Sequence, residues 1–178
     1  YVDPSGHKSI MSMYYNKSGS GFKKQAKNSC YYINSQVTFK PFVSKYGFKK
    51  AWNSITGSVT KLYIYVHGGP GILYFSGSHI RYSEIKSLPK KKKLKKITVL
   101  SCSGGAGSNS VAKGFYLATE KNAKTYACID SVCYRTETRG RRVVYCPRYS
   151  KKYIDEYNRK HKKKISFLTN PIKKFFPK

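Results

Sequence analysis

The chain is short of acid. Seven Asp and Glu stand against 36 Lys and Arg in 178 residues, a formal net charge of +29. Acidic residues so few and so scattered supply no carboxylate cluster of the kind a metal-dependent nuclease needs. Long apolar runs are missing too, so no stretch approaches the length of a membrane-spanning helix, and no signal-peptide pattern is visible. Cysteine is present five times, an odd number without repeated close spacing. That argues against a disulfide framework, and Cys128, Cys133 and Cys146 lack zinc-ligand spacing. We expect no metal or other cofactor, reduced thiols, and action in a cytoplasm. The hydrophobic fraction is modest at 39%, but it includes 17 tyrosines, so a core built from this chain must be largely aromatic. The excess of positive charge will attract polyanions, acidic proteins or anionic surfaces whatever the chemistry.

What is present concentrates in residues 61–107. Leu62-Tyr63-Ile64-Tyr65-Val66 is followed by His67-Gly68-Gly69, and Ile97-Thr98-Val99-Leu100 by Ser101-Cys102-Ser103-Gly104-Gly105. Each apolar run reads as a buried strand delivering a reactive side chain at its C-terminal end, where open α/β sheets place their ligands. A histidine beside a thiol is the usual base for a cysteine nucleophile. If the two strands are neighbours in one sheet, His67 and Cys102 come within several ångströms. Gly68 and Gly69 let backbone N–H groups approach a developing oxyanion. The residues after Cys102 look helical, which would set it near a helix N-terminus. Taken singly, a strand cysteine is more often an inert thiol and a histidine before glycines an ordinary strand end; together they favour catalysis.

At these residues the chain resembles the caspase-like cysteine peptidases, of the caspase–haemoglobinase fold, and most of all the small versions at the C-termini of bacterial polymorphic toxins. The resemblance spans residues 48–147, and its specific part is His67-Gly68 with Leu100-Ser101-Cys102-Ser103-Gly104-Gly105. It implies a base at His67, a nucleophile at Cys102, and an oxyanion hole from the backbone N–H groups of Gly68 and Cys102. It also implies that the segment after the next strand lines the pocket for the residue preceding the scissile bond, which by position nominates Asp130, Ser131 and Arg135. Asp130 would favour a basic residue there and Arg135 an acidic one. The short crossover and its lysine-rich loop depart from the family pattern.

Tyr1-Val2-Asp3-Pro4-Ser5-Gly6 resembles the end of the Rhs/YD-repeat toxin shell, and position 1 is not Met, so we expect a piece of a longer protein. The expected organisation is the end of that core and a linker over 1–21, a caspase-like toxin domain over 22–150, and a basic helix and tail over 151–178. The fold class expected is α/β, with a mostly parallel central sheet flanked by helices and a short hairpin near the site, at 72–78. Along the chain we predict short strands at 30–33 and 36–39, with Pro41 at an edge. Helices are predicted at 48–55 packing through Trp52, at 83–88 capped by Ser83, at 108–118, and at 153–164 with His161 solvated. A strand is predicted at 124–129, and the tail at Phe175 and Phe176 either packs back or frays.

His79 is a second candidate base. The run Pro89-Lys90-Lys91-Lys92-Lys93-Leu94-Lys95-Lys96 reads either as a solvated loop shielding a sheet edge or as a contact surface for nucleic acid, membrane or an acidic partner. The resemblance implies a secreted toxin tip that cleaves a protein in the cytoplasm of a recipient cell, with a cognate immunity protein, acidic by complementarity. Two alternatives stay open: a basic nuclease-type toxin and a catalytically inactive caspase-like binding domain.

Overall fold

In the computed structural model, residues 9–162 and 172–176 are described. In chain order the elements are β1 (Ser9–Tyr15), α1 (Phe22–Lys27), β2 (Val37–Phe42), α2 (Lys45–Asn53), β3 (Val59–Tyr65), β4 (His67–Gly69), β5 (Ile72–Phe75) and β6 (Ser78–Arg81). There follow α3 (Tyr82–Lys86), β7 (Lys96–Leu100), α4 (Val111–Ala118), β8 (Lys124–Cys128), β9 (Val132–Arg139), β10 (Arg142–Tyr149), α5 (Lys151–His161) and β11 (Ile172–Phe176).

The central sheet has the order β11-β8-β7-β3-β1-β2. Its five strands from β8 to β2 are mutually parallel, and β11 adds antiparallel at one edge. This is the α/β class expected, with strands apolar on both faces because both faces are covered. Registers such as Met13↔Ile64 and Ile64↔Val99 put Met11, Met13, Leu62, Ile64, Ile97 and Val99 on one face. Phe42 continues that face, and α2 packs there through Phe48 at 5.3 Å between ring centroids, with Trp52 against Phe115 of α4 at 5.4 Å. Trp52 is wholly buried, and its indole N–H donates to the Pro89 carbonyl at 2.9 Å.

The other face is a layer of tyrosine. Tyr63 and Tyr65 of β3 lie under the segment 29–32, where Tyr31 stacks on Tyr63 at 5.6 Å and Tyr32 meets the same ring edge-on at 4.9 Å. The Tyr65 hydroxyl donates to Ser29 Oγ at 2.7 Å, and Tyr32 and Ser12 hydroxyls are 2.9 Å apart. Behind that segment stands the β9–β10 ribbon, joined to it by Tyr145 N–H to Asn28 carbonyl and Cys30 N–H to Tyr145 carbonyl bonds. Much of the tyrosine content is therefore structural, each ring filling core while its hydroxyl seeks a partner.

Several expectations change. Residues 9–15 are not linker: β1 is buried and lies between β3 and β2. Its polar and flexible neighbours hid a strand whose serines point inward, Ser12 to a tyrosine hydroxyl. Residues 30–33 form turns rather than a strand, since their polar groups are met by the tyrosine layer and one bridge to Tyr145. The helix expected at 83–88 starts at Tyr82, and its N-terminal amide partner is the Glu84 carboxylate, which accepts from Arg81 N–H at 3.3 Å. Helices α2, α4 and α5 are capped by Ser44, Ser110 and Ser150, the side-chain acceptors that free amides of a first turn require. The edge placement of Pro41 holds, as β2 is an outer strand, and 72–81 forms the expected hairpin, extended by β4 into three strands. The tail contributes β11. Residues 1–6 and the His161 side chain lie outside the described residues.

The lysine run guards no edge, because the strand that follows it, β7, is interior to the sheet. Lys90 Nζ donates to the carbonyls of Lys86 and Leu117, and Lys91 Nζ to those of Asn53 and Ile55. Two lysines thus serve the unsatisfied C-terminal carbonyls of three helices. No described helix is long and apolar enough to cross a membrane.

Candidate active site

The paired part of β3 and β7 ends at Tyr65↔Leu100. His67 and Cys102 each follow two residues beyond that pair, past the C-terminal ends of adjacent parallel strands. Immediately past the pair the chains diverge: β4 turns outward to pair with β5, and 102–105 form a tight turn. His67 is exposed, its ring held edge-on between Phe22 at 4.8 Å and Tyr15 at 5.9 Å. Cys102 is half-buried, and its sulfur accepts from the Val132 N–H at 3.4 Å. No hydrogen bond joins His67 to Cys102 among the described residues, and the His67 ring lies towards Tyr15 of β1, the neighbour of β3 on the side away from β7.

The turn is built to present one free amide. Ser103 N–H goes to Asp130 carbonyl, Gly104 N–H to Ser101, Gly105 N–H to Cys128 and Ala106 N–H to Ser103, whereas the Cys102 N–H meets no acceptor among the described residues. An unpaired amide beside a candidate nucleophile is what an oxyanion hole would require. Ser103 adopts φ 52°, left-handed backbone that costs a non-glycine residue about 1–2 kcal/mol. Cys102 is not at a helix N-terminus, however. Helix α4 begins only at Val111, capped by Ser110, because the glycine-rich turn must first cross the strand end.

Gly68 sits hard against this turn. A Cβ there would lie 2.8 Å from Ser101 Cβ and 3.2 Å from the Cys102 carbonyl oxygen, and one at Gly104 would lie 2.6 Å from Ser101 Oγ. Ser101 Oγ is buried between the two glycines with no partner among the described residues. We expect Gly104→Ala to cost about 1–3 kcal/mol by overpacking. Ser101→Ala, which removes an unpaired buried hydroxyl, should be close to neutral. The double variant should recover most of the loss in urea unfolding; strict additivity would show that the hydroxyl is not the obstacle.

No protein-family model matches this chain, nor does any curated protein. The site is therefore read from its own geometry. Asp130 lies next to the Cys102 turn: its carbonyl accepts from Ser103 N–H, and its carboxylate accepts from Ser131 N–H at 2.6 Å. Arg135 is exposed and lies on the face of β9 opposite to Val132 and Tyr134, the face it shares with Cys146 of β10. His79 is the cross-strand partner of Tyr74, which itself pairs with His67, so it stands one strand farther out. Its Nε2 already accepts from Arg81 at 3.2 Å.

Tyr134 went unnoticed in the sequence. Its buried hydroxyl has no partner among the described residues, and burial, with Cys128, Tyr31 and Cys102 nearby, pushes it well above its ordinary value. The alternation of Val132 and Tyr134 with polar residues was the available signal. Phe22 and Tyr15, which orient His67, come from segments far away in sequence and carried none.

Proposed function

We propose that the chain is a cysteine endopeptidase of the caspase-like kind, acting as a toxin domain on a protein of a recipient cell. The observation that carries this reading is the equivalent placement of His67 and Cys102 past the Tyr65↔Leu100 pair, with the Cys102 amide unpaired. His67 accepts the proton of the Cys102 thiol, and the sulfur attacks the carbonyl carbon of a peptide bond. The resulting oxyanion is met by the N–H groups of Cys102 and Gly68. His67 returns the proton to the departing amine, and water, deprotonated by the same imidazole, releases the acyl group from sulfur. Asp130 and Ser131 border the position of the residue before the scissile bond. A strongly acidic immunity protein would complement the charge of +29.

The test is growth of a sensitive bacterium expressing wild-type protein, Cys102→Ala or Cys102→Ser, with circular dichroism to verify folding. Folded Cys102→Ala should be harmless. If it still arrests growth, thiol chemistry is not the toxic activity, and degraded RNA or DNA becomes the product to look for.

A further inference from the structure

Two cysteines outside the site stand together. The segment 28–30 meets β10 in an isolated parallel bridge between Ser29 and Tyr145, closed by Tyr145 N–H to Asn28 carbonyl at 2.7 Å and Cys30 N–H to Tyr145 carbonyl at 3.1 Å. The next residues along the two chains are Cys30 and Cys146. Neighbouring strands run about 4.8 Å apart, and a disulfide spans Cα separations of about 4.4–6.8 Å. Aligned residues of a parallel pair also project to the same side. One guanidinium brackets both: Arg139 Nη1 donates to the Cys30 carbonyl at 3.3 Å, and Nη2 lies 3.7 Å from Cys146 Sγ.

We propose that Cys30 and Cys146 form a reversible disulfide site that staples the 28–36 segment to the β9–β10 ribbon. Both cysteines are free thiols in this structure, so what is described is the reduced form. Cys30 is half-exposed and Cys146 only 1% exposed, which fixes the order of events. With a low-molecular-weight disulfide such as oxidised glutathione, the Cys30 thiolate attacks one sulfur and expels a glutathione thiolate. The Cys146 thiolate then attacks the Cys30 sulfur of that mixed disulfide and expels the second. Two protein thiols lose their protons and are oxidised, and one glutathione disulfide is reduced to two thiols.

The consequence reaches the site. The staple closes a loop of roughly 115 residues that contains β2, β3, β7 and β8, and so both His67 and Cys102. It also fastens the ribbon whose first residue, Val132, donates to the Cys102 sulfur. The chain would be tightened in an oxidising space and loosened in a reducing one. None of this depends on whether Cys102 is a nucleophile.

The purified chain is equilibrated in mixtures of reduced and oxidised glutathione, quenched with acid, alkylated, and analysed by intact mass and peptide mapping. Its melting temperature is measured in the same buffers. The expected product carries two fewer alkyl groups than the fully reduced chain, with peptides holding Cys30 and Cys146 linked, and melts about 5–10 °C higher than the reduced chain. Cys30→Ser, at a half-exposed position, should fold, yield no linked peptide and show no such shift. Glutathione adducts at Cys30 without a cross-link, a cross-link between other cysteines, or a chain that stays reduced throughout would each overturn the proposal.

Discussion

Replacing His67 by alanine is expected to lower turnover about 10²–10⁴-fold while the protein stays folded. The imidazole makes no hydrogen bond among the described residues and is exposed; its ring contacts are edge-on against Phe22 and Tyr15. Losing those contacts should cost no more than about 1 kcal/mol. His67→Phe sharpens the test, since a phenyl ring keeps both aromatic edges but cannot take a proton. It should be as inactive as His67→Ala and as stable as wild type. His79→Ala serves as control, because Arg81 already occupies its Nε2, and it should leave turnover unchanged. Hydrolysis of a peptide library supplies the rate, alkylation of Cys102 by iodoacetamide reports the thiol, and thermal unfolding reports the fold. If both His67 variants are folded and turn over like wild type, His67 is an ordinary strand end and the dyad is wrong.

The legible part of this molecule was the part in which one segment carries its own instruction. Runs such as Leu62–Val66 and Ile97–Leu100 are apolar throughout because both sheet faces are covered, and the glycines after them mark where each strand must stop. The fold class, and the position of His67 and Cys102 past the ends of two adjacent strands, followed from that pattern. What escaped notice depends on residues far apart. Strand β1 reads as a serine-bearing fragment beside a glycine-rich loop, and only the Tyr32 hydroxyl from another layer explains an inward Ser12. The helix expected right after Cys102 begins at Val111 instead, because the turn spends its amides on Asp130, Cys128, Ser101 and Ser103. Arg135 was nominated by distance along the chain, yet alternation along β9 puts it on the face opposite to Val132 and Tyr134. Position along the chain found the neighbourhood of Cys102 but not which side chains face it.

High pH should unfold this protein, through its tyrosine layer. Burial raises the hydroxyls of Tyr31, Tyr32, Tyr65 and Tyr134 above their ordinary value, and burial, with Tyr32 and Cys30 nearby, pushes Tyr63 up to about 12 from 10.0. The charged form is tyrosinate, which the core disfavours, so the folded state holds these protons longer than the unfolded chain does. Their contribution is fully present below about pH 10 and is lost as pH rises through the folded value. For Tyr63 alone the loss at pH 11 is on the order of 1 kcal/mol, and the other four act in the same direction.

Discharge of the lysines over this range works the other way, relieving the repulsion carried by +29. Those charges are mostly at the surface, where a Debye length of about 8 Å at physiological salt weakens them, whereas the tyrosine hydroxyls are largely buried and screened much less. Denaturant unfolding at pH 8, 9, 10 and 11 should therefore show stability falling steeply above pH 10. Tyrosinate absorbance should grow only as the protein opens. Tyr63→Phe should match wild type at pH 8 and lose less stability by pH 11, by an amount on the order of 1 kcal/mol. A variant whose stability tracks wild type across the whole range would mean that Tyr63 ionises freely in the folded protein, and that the tyrosine face is wet rather than core.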